Sequence, residues 1–126
     1  MTSLDKFGQF VMRNLRDRGI EQHVKLQAGE WRAPAIQELQ AAVAGLPEDT
    51  KRLLLRCIVD TIDTATHDFL FALQDSHDRQ LGIEALVDGT NVAEISDGLQ
   101  GEPYGNKGWI ERYSEYAALR RDSSHC

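Results

Sequence analysis

Residues 48–75 read EDTKRLLLRCIVDTIDTATHDFLFALQD, and their periodicity decides the fold. Leu54, Ile58, Ile62, Ala65, Phe69 and Leu73 recur at spacings of three and four, while Leu55, Val59 and Leu70 widen the same stripe. Pro47 is suited to the first turn, and Glu48 and Asp49 favour the positive end of a helix dipole. At roughly 1.5 Å per residue such a helix is about 40 Å long. It is long enough to cross a small domain, so the remaining elements are expected to pack around it.

On its N-terminal side, residues 3–18 predict a helix. Ser3 is in the N-cap position, Leu4, Phe7, Phe10, Val11 and Leu15 share one stripe, and Gly19 is expected to stop the helix in a left-handed conformation. Gly8, unfavourable inside a helix, suggests a close helix contact. Residues 20–32 alternate weakly and read as an extended connector, with or without a short helical turn, carrying Trp31 as an anchor or a lid over the core. Pro34 then opens a short helix over 35–44, with Ile36, Leu39, Ala42 and Val43 on one face and Gly45 at its end.

Beyond Asp78 the period changes. Ile83–Val87 and Val92–Ile95 flank Asp88-Gly89-Thr90-Asn91, which predicts a β-hairpin. A two-residue loop pairs Val87 with Thr90, and a four-residue loop, preferred because it sets more apolar residues opposite one another, pairs Val87 with Val92. Two strands alone are barely stable in water, so the hairpin must lie on helices. Residues 97–108 hold four of the ten glycines and form a loop. A last helix is expected over 108–120, with Trp109, Tyr113, Tyr116 and Ala117 on one side and Arg120 and Arg121 at its negative end. The predicted class is mostly α with one β-hairpin, an α+β arrangement in which the long helix is packed by three others. Residues 1–121 form one domain, and 122–126 a disordered tail.

The chain has 126 residues, below the roughly 150 typical of one domain. Fourteen Lys and Arg against twenty Asp and Glu leave a net charge of −6 at pH 7. That balance opposes a sequence-independent grip on nucleic-acid phosphates. No run approaches the roughly 18 apolar residues of a membrane span, and the first residues lack a secretory pattern. Cys57, in the apolar helical run, reads as a small buried hydrophobe, and Cys126 lies in the polar tail; both are expected to be free thiols. The expectation is a soluble, cytoplasmic protein.

Chemistry-bearing residues concentrate on the long helix. Asp60, Asp63 and His67 lie near one face, since residues three and four apart are neighbours, and one metal ion is within their common reach. Bundle metal sites draw matching ligands from a second helix, and no Glu-x-x-His offers them here. The plainer reading makes these residues a solvated face, with Asp63 and His67 a surface pair. Gly-x-Ser-x-Gly, Walker, His-Glu-x-x-His and Cys-x-x-Cys patterns do not occur, so neither a catalytic residue nor a cofactor is expected. Asp97, Glu102 and Tyr104 in the glycine-rich loop adjoin the aromatic stripe Trp109, Tyr113 and Tyr116. Together they suggest a recognition patch for a protein, because Tyr and Trp anchor interfaces.

The block ISDGLQGEPYGNKGWIERYSEY (95–116), with THDFLFAL (66–73), resembles a pattern in small uncharacterised bacterial proteins of the domain-of-unknown-function type. The resemblance implies a bacterial, cytoplasmic single domain and no activity. From the residues themselves the favoured function is protein binding without catalysis. Its most concrete form is an immunity or antitoxin-like protein that neutralises a basic partner, since acidic complementarity speeds association. The alternatives are a metal- or ligand-binding helical protein using Asp60, Asp63 and His67, and a regulatory subunit that forms homo-oligomers through the aromatic C-terminal helix.

Overall fold

A computed structural model describes residues 1–119. The expected tail 122–126, and the Arg120 and Arg121 end of the last predicted helix, lie outside the described residues. The chain forms α1 (Ser3–Val11), a π-helical turn (Met12–Arg16), α2 (Asp17–Ala28), α3 (Gln37–Ala44) and α4 (Glu48–Asp78). A two-stranded antiparallel sheet, β1 (Leu86–Val87) and β2 (Thr90–Asn91), and a short α5 (Trp109–Tyr113) follow. The class is therefore α+β, dominated by helix, with one long helix as its axis.

The first departure from the sequence reading is at Gly19. Helix runs without interruption from residue 3 to 28, and the left-handed stop is Gly29, at φ 72°. Thr2 rather than Ser3 caps the start: its Oγ1 accepts from the Asp5 N–H, and Asp5 accepts in return from the Thr2 N–H. Gly19 has a different duty. A Cβ there would stand 2.9 Å from Ile62 Cδ1, so the missing side chain lets α2 and α4 approach. Gly8 plays the same part against the face of the Trp109 indole, which fills the space a Cβ would need. The supposed connector 20–32 is mostly α2; Ile20, His23 and Leu26 are buried on one face of it. Trp31 folds back on that helix, its indole N–H donating to Gln22 O at 3.0 Å with the Lys25 ammonium over the ring. It neither covers the core nor stands free as an anchor.

Helix 3–28 and α4 run antiparallel, as Gly19 against Ile62, Arg16 against Asp63, and Gln27 on Lys51 O show. Residues 81–119 fill the angle where α1 and the C-terminal half of α4 diverge. There Met12, Leu70, Leu73, Val92, Ala93, Leu99, Trp109 and Ile110 form the core, with Phe7 edge-on to Trp109. The apolar stripe of α4 is only partly used: Leu70 and Leu73 are buried, but Ala65 and Phe69 face outward. Cys57 is exposed, on the side of α4 turned away from α2.

The hairpin takes the tighter register, Val87 opposite Thr90 and Leu86 opposite Asn91. Asp88 and Gly89 both have positive φ, 51° and 81°, the two-residue turn whose twist matches antiparallel strands. The expected pairing of Val87 with Val92 fails because Val92 turns into the core while its N–H bonds Ala85 O. Helix α5 stops at Tyr113, well short of 120, where Ser114 adopts an extended conformation at φ −81°, ψ 137°.

Candidate functional site

Asp63 is the most changed of the sequence-selected residues. It is 1% exposed, and its carboxylate accepts from Arg16 Nε at 2.7 Å and Nη2 at 3.3 Å. Arg16 is fully buried and its five N–H donors are all used: two on Asp63, and three on Ser114 Oγ, Tyr116 O and Leu119 O. The Asp63–His67 surface pair is thus replaced by a buried guanidinium–carboxylate fork. His67 instead faces Asp68 at 3.1 Å, and its ring lies 6.2 Å from that of Tyr104. Asp60 sits on the exposed side of α4. The three do not converge, and among the described residues no group of three His, Cys, Asp or Glu is placed to hold a metal.

Asp97, Glu102, Tyr104, Trp109, Tyr113 and Tyr116 differ widely in exposure. Trp109 is core. The Tyr104 hydroxyl donates to Asp63 O at 2.7 Å, and Glu102 accepts from Ser96 Oγ at 3.0 Å. Tyr113 lies half-buried beneath the Arg112 guanidinium, and burial raises the pKa of its phenol. Tyr116 is half-buried off the end of α5; burial and then Glu21, Glu115 and Asp17 raise its pKa. Asp97 alone of the six is open to solvent. With α5 ending at Tyr113, the stripe expected to drive self-association is not formed.

A different surface emerges at the end of α4. The helix closes with a Schellman motif, Leu81 N–H to Ser76 O and Gln80 N–H to His77 O, with Gln80 at φ 55°. The residue after such a motif commonly packs back on the helix, but Ser76 and Asp75 offer Leu81 no apolar seat. Leu81, Ile83, Leu86 and Ile95 all remain outside, 47–67% exposed. Polar side chains of α4 pin the segment that carries them. Ser76 Oγ bonds both N–H and C=O of Ile83, while Gln74 donates to Ala93 O and accepts from Leu99 N. The Asn91 amide lies 3.3 Å from His77 Nδ1.

Charge gathers at the same end. Residues 75–102 hold seven of the twenty acids and one of the fourteen basic residues, which is the whole net charge of −6. The rest of the chain balances at thirteen of each sign. Arg79 pairs with Asp75 and Lys6 with Asp88, while Asp78, Glu84, Glu94 and Asp97 stay exposed among the apolar side chains. Sequence reasoning overlooked this surface because it assigned Ile83 and Leu86 to a covered strand. The signal was Leu81-Gly82-Ile83, apolar residues in a turn outside any amphipathic period.

Comparison of the chain with protein-family models, curated proteins and solved structures gave no match. No helix of the described residues is long and apolar enough to cross a membrane.

Proposed function

We propose that the protein is a binding module that docks a basic protein partner on the acidic, apolar-studded end formed by residues 75–102. One observation carries this reading: the chain's entire net charge and four of its large exposed hydrophobic side chains share one rigidly pinned segment. Apolar side chains rimmed by charge are the pattern of an interaction surface, and a one-signed rim steers an oppositely charged partner. Neutralisation of a basic protein, as immunity and antitoxin proteins perform it, is the most concrete form of the reading. The same acidic end would repel a nucleic-acid backbone. A bacterial cytoplasmic setting belongs to the reading and agrees with the free, exposed Cys57.

The test is affinity capture on wild-type protein and on an Ile83→Ser, Leu86→Ser variant, which removes apolar contact and leaves the charge unchanged. The expected partner carries net positive charge, binds more weakly as salt rises, and loses at least about tenfold in affinity to the variant, the effect of about 1.4 kcal/mol. A partner held equally by both proteins, an acidic partner, or no partner at low salt would each overturn the proposal.

A further inference from the structure

Residues 114–119 follow a path that their own sequence does not favour. Trp109, Tyr113, Tyr116 and Ala117 keep helical spacing, and no Gly or Pro occurs between Trp109 and Leu119. The Ser114 N–H already bonds Ile110 O at 3.1 Å, an ordinary helical rung. The next rung is missing. The Glu115 N–H, which would reach Glu111 O in a continued helix, donates instead to Asp17 Oδ2 at 2.9 Å. The Ser114 hydroxyl donates to Asp17 Oδ1 and accepts from Arg16 Nη1, and Arg16 also holds the carbonyls of Tyr116 and Leu119. Arg16 and Asp17, adjacent where the π-helical turn meets α2, therefore grip the segment from one side with opposite charges. π-helical turns recur at functional positions, and this one aims both side chains at the segment.

We infer that residues 114–119 are a two-state strap, broken from α5 at the extended Ser114 and held as a turn by the Arg16–Asp17 clasp, and continuing α5 as helix when released. The two states compete because local propensity and tertiary contacts point in opposite directions, the condition for a bistable element. Release leaves the Arg16–Asp63 fork intact and opens the remaining Arg16 donors to water. It also brings Tyr116 and Ala117 into line with Trp109 and Tyr113. The cleft beside the strap, about 530 Å³ and bordered by Arg13, Asn14, Arg18, Glu21 and Glu115, widens as Glu115 leaves. The strap is independent of the partner proposed above.

Backbone chemical shifts of the full-length protein test it. In the wild type, Cα shifts are expected to be helical from 109 to 113, extended at 114 and turn-like over 115–118, so that the helix is interrupted. In an Asp17→Ala, Ser114→Ala variant, helical shifts should run unbroken from 109 to 119. A folded variant that keeps the break at 114 and the turn beyond it, or whose segment becomes coil, overturns the inference. Should the double variant lose its fold, Ser114→Ala alone decides, since it removes the bridging hydroxyl and neither charge. Shifts of Glu115 and Tyr116 moved towards helical values support the strap, and unmoved shifts refute it.

Discussion

The two halves of α4 are packed by different chemistry. Residues 48–62 lie along α2, itself a regular helix whose backbone groups bond one another. That neighbour asks mostly for apolar contact, as at Ile62 against Gly19, with the Gln27 amide donating to Lys51 O beside it. Residues 63–78 lie against 81–119, which is mostly turns and loop. Such a chain brings backbone N–H and C=O groups that must be satisfied once buried. Accordingly, the buried side chains of Gln74 and Ser76 bond the backbone of Ala93, Leu99 and Ile83. The other two buried polar residues of this half, Asp63 and Thr66, bond Arg16 and the Ile62 carbonyl. The lesson is that a helix facing regular structure can be apolar, whereas one facing irregular chain must carry donors and acceptors inward.

The sharpest way to break that contrast is Asp63→Ala. It leaves the Arg16 guanidinium buried without its counter-charge, a loss of about 3–5 kcal/mol, to be read from the urea midpoint. Val59→Ala, in the apolar half, removes only buried methyl groups and should cost less. Equal losses would dissolve the distinction between the halves. Gln74→Ala is next. It strands the Leu99 N–H and the Ala93 C=O, each worth about 1–3 kcal/mol when buried unsatisfied. Amide exchange at Leu99 should accelerate in that variant while exchange along α2 stays unchanged.

The contrast also explains what could be read from the sequence. The apolar half was legible, and with it the long helix and the fold class, because Leu54, Ile58 and Ile62 face a helix and keep its period. The polar half was misread, because Asp63, Gln74 and Ser76 look the same in sequence whether they meet water or a buried partner far along the chain. Their partners, Arg16, Leu99 and Ile83, lie seven to forty-seven residues away, and no periodicity marks them. The same blindness moved the end of the first helix from Gly29 to Gly19, since a glycine that admits Ile62 is indistinguishable in sequence from one that ends a helix. It also lengthened α5, whose stop comes from Arg16 and Asp17 rather than from a residue within 109–120. The acidic end went unseen for the opposite reason: its apolar residues follow no period because nothing among the described residues covers them.

Smaller still are the two glycine contacts, one beside each half. Gly8→Ala should gain roughly 1 kcal/mol in helix propensity. It must then force the Trp109 ring, packed into the core, out of place, at a typical overpacking cost of about 1–3 kcal/mol. Gly19→Ala gains the same propensity but meets only the flexible Cδ1 tip of Ile62. Thermal unfolding should therefore show Gly8→Ala destabilised and Gly19→Ala neutral or stabilised. The reverse order would mean that the α2–α4 seam, not the Trp109 site, is the tighter joint.

The smallest effect concerns the polar group on the α2 side, His23. Burial lowers its pKa from the usual 6.5, and its Nε2 lies 2.8 Å from Gln27 Nε2. The Gln27 amide also donates to Lys51 O at 2.9 Å, so the imidazole must act as acceptor and be neutral. The unfolded chain therefore binds the proton more readily than the folded one. Stability from this group is complete above the unfolded pKa near 6.5 and declines as pH falls from there through the lowered folded value. His23→Gln keeps a side-chain acceptor and cannot titrate, so that part of the pH dependence should vanish from urea midpoints measured between pH 7 and pH 5. An unchanged slope in the variant would place the acid sensitivity elsewhere.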